Sequence, residues 1–282
     1  MVKQTPAACG ALSTLYTCNK GLALGFFAAF DLASNSHGTV GCLTNDDGGI
    51  LDDLMLTRWD DEYWGLVVNG ACRYGDMDHL KKYIPAGVTM RYLDNYSLIA
   101  VQGPKARRIL SELIPEAEKL IFMRSTQTLW NGHDITLSCC GYTGEDGYEI
   151  SIAKQFAREL AEALTQLKET TWVGLGARNS LRLETGLCLY GNDLTTDTTP
   201  IEANLSWSIQ KRRRIDGGFL GAEIILKQIK DGSYRKRVGI KPEDGRTPLR
   251  DHTILKNIAG NEGYILVRGV NDPDADSDEE QD

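Results

Sequence analysis

The sequence predicts an α+β protein with mixed or antiparallel sheets and packed helices, and three observations carry that expectation. Strand-like and helix-like segments alternate along most of the 282 residues instead of falling in separate blocks. The turns between strands are short and hairpin-like, "NDDGG" at 45–49 being the clearest, which favours antiparallel pairing over a doubly wound parallel sheet. A hydrophobic content of 41% against 25% charged residues belongs to a globular chain able to bury a sizeable core.

The elements follow in order. Residues 1–37 read as a divergent or targeting segment: up to Phe30 there is no acid, with Lys3 and Lys20 as bases among several Ser and Thr, although the arginines usual in transit peptides are missing. Its apolar run "GLALGFFAAF" is ten residues, about half of what a membrane-spanning helix needs, so no membrane partner is expected. Residues 38–68 then read as strand, Gly-rich turn, strand, acidic turn, strand. A helix is expected over 75–83, strands over 88–94 and 96–103, and a helix over 104–113 opened by Pro104. After an irregular stretch, "HDITLSCC" and "YEISIA" are strands flanking the loop "GYTGEDG". Phe156, Leu160, Leu164 and Leu167 recur at helical spacing in 154–168, and "GLGARNSLRLETG" continues as a helix that stops at Gly186. A turn-rich region, "YGNDLTTDTTP", precedes the basic run "KRRR" and a helix around "AEIILKQIK". From about residue 235 the composition is that of strands and turns, as in a small second domain.

Charge and cysteine usage exclude several classes. The net charge of −8 is concentrated in the last twelve residues, which carry seven acids and no base. The remaining body is nearly neutral and gives no electrostatic reason to expect nucleic acid. The tail reads as disordered; its D-x-D-x-D rhythm lacks the glycine of a calcium loop, Ser277 standing there. Seven scattered cysteines form no CxxC pair, so no zinc ribbon or thioredoxin-type site is encoded and a reducing compartment is implied. No metal ligand set is expected. "GLGARN" puts Asn179 where a dinucleotide fingerprint needs its third glycine, and no Walker A sequence occurs.

Two places carry candidate chemistry. Asp52 and Asp53 are strand neighbours pointing to opposite faces, so one can face a pocket while the other meets solvent. The alternative is a solvated turn end. Glu149 alternates with Tyr148 and Ile150 and by itself is an outward-facing strand residue. "KRRR" at 211–214 reads as a solvated basic loop or a docking patch for an acidic partner.

Taken together, "GGILDDL", "LVVNGA", "LIAVQGP", "GYTGEDGYEI", "GLGARNSLRLETGLCLYGND" and "TTPIEANLSWSIQKRRR" resemble, in the right order, the aminomethyltransferases, the T-proteins of the glycine cleavage system. The resemblance runs over roughly residues 38–260. It implies transfer of the one-carbon unit of an aminomethyl group, carried on the lipoyl arm of the H-protein, to tetrahydrofolate, with release of ammonia and formation of 5,10-methylenetetrahydrofolate. Tetrahydrofolate is then the co-substrate, the lipoylated H-protein the partner and the mitochondrial matrix the location. The family's motif positions fall on Asp53 as the catalytic carboxylate and on Asn69, Tyr142, Glu149 and Arg178 as folate-binding residues. The implied domains are a folate-binding core over 38–234, a remnant of a C-terminal β-barrel domain over 235–265 and the acidic tail over 266–282. Both ends depart from the family pattern as if truncated, so the alternative is a non-catalytic paralogue that binds folate or H-protein.

Overall fold

The computed structural model describes residues 2–5, 12–17, 37–60, 63–240, 254–256, 260 and 262–264. The architecture is α+β, as the sequence predicts. In chain order the elements are β1 (Val2–Thr5), β2 (Leu12–Thr17), β3 (Gly38–Thr44), β4 (Ile50–Arg58), β5 (Tyr63–Val68), α1 (Arg73–Tyr83), β6 (Thr89–Tyr92) and β7 (Tyr96–Gln102). There follow α2 (Ala106–Leu110), β8 (Ser125–Trp130), β9 (His133–Ser138), β10 (Gly147–Ala153), α3 (Ala157–Gln166), β11 (Thr170–Trp172) and α4 (Leu175–Glu184). The described chain closes with α5 (Arg213–Asp216), α6 (Ala222–Asp231), β12 (Ile254–Lys256) and β13 (Glu262–Tyr264).

Two sheets dominate. One has five antiparallel strands in the order β3-β4-β5-β2-β6, the other six in the order β11-β1-β7-β10-β9-β8, with β1 and β11 parallel and the remaining neighbours antiparallel. β12 and β13 pair antiparallel as a separate ribbon.

Each sheet is held by period-two burial. On β10, Tyr148, Ile150 and Ile152 are buried and pack with Ile109 and Leu110 of α2 and with Leu160 and Leu164 of α3. α3 buries Ala157, Leu160, Ala161 and Leu164, a single face at helical spacing, and stops where Leu167 turns extended. On β4, Leu54 and Leu56 join Leu43, Trp64 and Leu66 above Leu80 of α1. Asp52 lies in the same alternating row as Ile50, Leu54 and Leu56, and that row is the buried one.

β1 and β2 fall within residues 1–37, where no strand is expected, and three further elements differ from expectation for identifiable reasons. β8 falls in the stretch expected to be irregular. It is the edge of its sheet, and with Leu129 exposed and Trp130 its one buried apolar residue it carries no apolar alternation. α2 is five residues rather than ten. Ile114 precedes Pro115, and a residue before proline is pushed out of the helical region, here to φ −132° and ψ 89°. β11 is a three-residue strand too short to register in a periodicity count.

Candidate active site

The site begins on β4. Asp52 and Asp53 point to opposite faces, but the expectation that one meets solvent is not met: Asp52 is fully buried and Asp53 half-buried. Asn69, just after β5, grips both. Its side-chain amide donates to Asp52 Oδ1 at 2.8 Å, to Asp53 Oδ1 at 2.9 Å and to the Asp53 carbonyl at 3.2 Å, and its backbone N–H donates to Asp52 Oδ2 at 3.0 Å. Burial, then the neighbouring Asp52 charge, pushes the Asp53 carboxyl up to about 6.

Behind this pair sits Asp76, in the first turn of α1 and on the same helix face as Leu80, both buried. Burial and Asp52 push it to about 8. A carboxylate in a first helical turn is ordinarily favoured by the helix dipole, but that effect is about 0.3–1 kcal/mol and loses to desolvation here. Asp76 was invisible to motif matching, although its i,i+4 spacing from Leu80 places it on a core face.

The second group forms around residues 140–149. Tyr142 lies beneath the Arg178 guanidinium, whose carbon is 4.8 Å from the ring centroid. Glu149, on the half-buried side of β10, lies against the Cys140 thiol and feels the Arg178 charge; burial nonetheless holds its carboxyl above the usual range. The Tyr142 hydroxyl donates to the Cys188 carbonyl, and burial pushes the phenol pKa up.

The glycines of "GYTGEDG" act differently from what their loop suggests. A Cβ on Gly141 or Gly147 would stand 1.7 Å or 2.3 Å from Gln102 Oε1, and one on Gly144, at φ +73°, 2.0 Å from a Thr185 methyl carbon. They admit protein side chains that lock the loop. Gln102 donates to the Cys140 carbonyl at 3.2 Å and the Tyr148 carbonyl at 3.3 Å, stitching the loop's two ends.

Residues 187–193 join the two groups. Arg182, fully buried on α4 one turn beyond Arg178, donates to Asp193 and to the Leu187 carbonyl at 3.0 Å. Asp193 also accepts the Leu189 N–H at 2.9 Å, and the Tyr190 hydroxyl donates to the Ile50 carbonyl at 3.1 Å. The Asp193 charge is felt by Asp53 and by Tyr142, which also feels Asp53. Asp53, Asn69, Tyr142, Glu149 and Arg178 are therefore one connected set.

The "KRRR" run is half structural. Arg213 is buried and donates to the carbonyls of Gly217 and Gly218, and Arg214 donates to those of Ser206 and Ile209, which leaves Lys211 and Arg212 exposed. Among the described residues no group of His, Cys, Asp and Glu could hold a metal ion, and Cys42, Cys72, Cys139, Cys140 and Cys188 are unpaired thiols. No helix among the described residues is long and apolar enough to cross a membrane.

A profile of the GCVT N-terminal domain matches residues 27–213. The mitochondrial aminomethyltransferase of Mesembryanthemum crystallinum is 45% identical over 232 residues, which is 79% of this chain and 56% of that protein. A probable mitochondrial aminomethyltransferase of Schizosaccharomyces pombe is 42% identical over 241 residues, covering 84% of this chain and 62% of the relative. The crystal structure of the glycine cleavage system aminomethyltransferase T from Bartonella henselae superposes with a TM-score of 0.85 at 35% identity, over 94% of this chain and 73% of that one. The chain thus spans less than two thirds of the length of these curated relatives, both named as mitochondrial. By the extent of these matches, the chain belongs to the GCVT N-terminal domain family.

Proposed function

We propose that the chain is a tetrahydrofolate-dependent aminomethyltransferase of glycine cleavage, with lipoylated H-protein as its partner and residues 38–234 as its folate-binding core. The single observation that carries this reading is the convergence of Asp53, Asn69, Tyr142, Glu149 and Arg178 into one connected set from separate motifs of the chain. The donor set fits a reduced pterin. Its adjacent N–H groups need a paired acceptor, and Glu149 is a half-buried carboxylate whose partner Arg178 holds it toward the charged form. Tyr142, with its hydroxyl tied to Cys188, presents a fixed ring for flat contact.

Tetrahydrofolate supplies the amine that accepts the one-carbon unit. The chain's own residues orient and hold protons. Asp53, at about 6, is mostly a carboxylate at neutral pH and can take a proton from an amine placed against it. Asn69 fixes its Oδ1 and so its free oxygen. Arg178 offers a rigid donor fork to a ligand oxygen or carboxylate.

The test is tetrahydrofolate binding to the purified 282-residue chain, followed by quenching of tryptophan fluorescence, then turnover with lipoylated H-protein. Saturable binding is expected, weakened about 10- to 100-fold in Glu149→Ala by loss of a charge-assisted pair. Binding without turnover would instead favour the non-catalytic paralogue, and a folded chain that does not bind would sink the folate reading.

A further inference from the structure

Asp52 and Asp76 are both buried, 0% and 3% exposed, and each carboxyl acts directly on the other. A carboxylate only accepts, so two carboxyl groups in such contact need a proton between them. Which one carries it follows from the other partners. Asp52 accepts the Asn69 side-chain amide and the Asn69 backbone N–H, two donors that favour the ionised form. Asp76 Oδ2 is buried with no partner. That is tolerable on a neutral acid and costly on an anion.

Among the described residues no base acts on Asp76. Asp76 is acted on by Asp52 and Asp53 of β4, and by burial. Cys72 lies in the turn before α1 and Tyr190 in the 187–193 segment, and burial together with these same carboxyls pushes both up to about 12. Around Asp53 stand Cys42 of β3, Tyr142, Cys188 and Asp193. Arg182 answers Asp193, but Asp76 is acted on only by burial and by other carboxyls, and a buried carboxyl so placed is tolerated when it keeps its proton.

We propose that Asp76 is a positioning residue: a carboxylic acid that donates to Asp52, so fixing the Asn69 amide that in turn holds the Asp53 carboxylate. The consequence for the reaction rests on the folate reading of Asp53; the proton on Asp76 does not. The sign of its pH dependence follows from linkage. Asp76 loses its proton near 4 when unfolded and at about 8 when folded, so stability falls as pH rises across that window. The arrangement is intact below about 8 and comes apart above it.

Nuclear magnetic resonance of the full chain, labelled at aspartate carboxyls and asparagine side-chain amides, tests this without folate. One carboxyl signal should titrate near about 8 and be absent in Asp76→Asn. The Asn69 amide signal should shift over the same range in the wild type and stay constant in Asp76→Asn, which keeps an N–H donor and has no proton to lose. In Asp76→Ala it should be displaced at every pH. The melting temperature of Asp76→Asn should exceed that of wild type at pH 9 by more than at pH 5. In turnover, Asp76→Ala should lose kcat with KM for tetrahydrofolate nearly unchanged, Asp76→Asn restoring most of it and abolishing the alkaline limb. No aspartate titrating above pH 7, or an Asn69 signal indifferent to Asp76→Ala, overturns the proposal even if folate turns over. A chain that passes both tests yet ignores folate keeps the proton pair and loses only the folate reading.

Discussion

The β4 side of the site and the β10 side are built on opposite electrostatic plans. On the β10 side every buried charge has an answer: Glu149 faces Arg178, and Arg178 covers the Tyr142 ring. On the β4 side Asp52, Asp53 and Asp76 crowd together with amide and thiol donors but no cation, and all three are pushed upward. Burial raises Glu149 as well, but there the Arg178 charge opposes the shift and favours the ionised form. Unbalanced charge keeps carboxyls within reach of neutral pH, where a proton can be taken or returned. Under the proposed function, the β10 side recognises the ligand and the β4 side handles the proton.

Replacing Asp53 breaks the comparison most severely. Asp53→Asn keeps the shape and removes the titrating group, so turnover should fall about 10²- to 10⁴-fold with little change in tetrahydrofolate Kd. Its wild-type counterpart should show kcat/KM rising with pH through about 6. The same substitution should stabilise the fold: an acid that moves from about 3.9 unfolded to about 6 folded costs roughly 3 kcal/mol above pH 6, and the gain should fade toward pH 4. Loss of affinity with unchanged kcat would put Asp53 on the recognition side.

The buried pair Arg182–Asp193 joins the two sides, and breaking it is the next largest effect. Arg182→Met strands Asp193 in a buried site and should cost about 3–5 kcal/mol in denaturant unfolding, whereas adding Asp193→Leu should recover most of it. The double variant should still bind tetrahydrofolate less well, because Leu189 loses its acceptor and the carbonyl that anchors Tyr142 sits one residue away. Full recovery of binding would make the 187–193 segment a passive wall.

The two sides were also unequally legible in the sequence. Strand alternation marks β4, β9 and β10, each burying one face every second residue, while β3 and β5, with runs of consecutive buried residues, are marked by β-branched content and the turns between them. The motifs pointed to Asp53, Asn69, Tyr142, Glu149 and Arg178, which the fold brings into one set. Asp52 and Asp76 were readable only by inverting the usual rule: each occupies an apolar row, between Ile50 and Leu54 on β4 and one turn before Leu80 on α1. A carboxyl in an apolar row is the signal. Nothing local marked Arg182, since a polar helix position is exposed or buried according to what packs on it, and that packing comes from residues 187–193. Gln102 escaped for the same reason, its partners lying 38 and 46 residues away.

The smallest effect separates the two contributions of Tyr142. Its hydroxyl is committed to the Cys188 carbonyl while its ring is committed to Arg178, so Tyr142→Phe removes one and spares the other. The hydroxyl bond should be worth about 1 kcal/mol of stability, and the loss includes a carbonyl left short of a donor. Tetrahydrofolate affinity should move less than stability does, since the ring, the Arg178 contact and Glu149 all remain. Thermal unfolding and fluorescence titration on the same sample read the two quantities together. If affinity falls further than stability, the hydroxyl itself meets the ligand, and the recognition side extends to the Cys188 carbonyl.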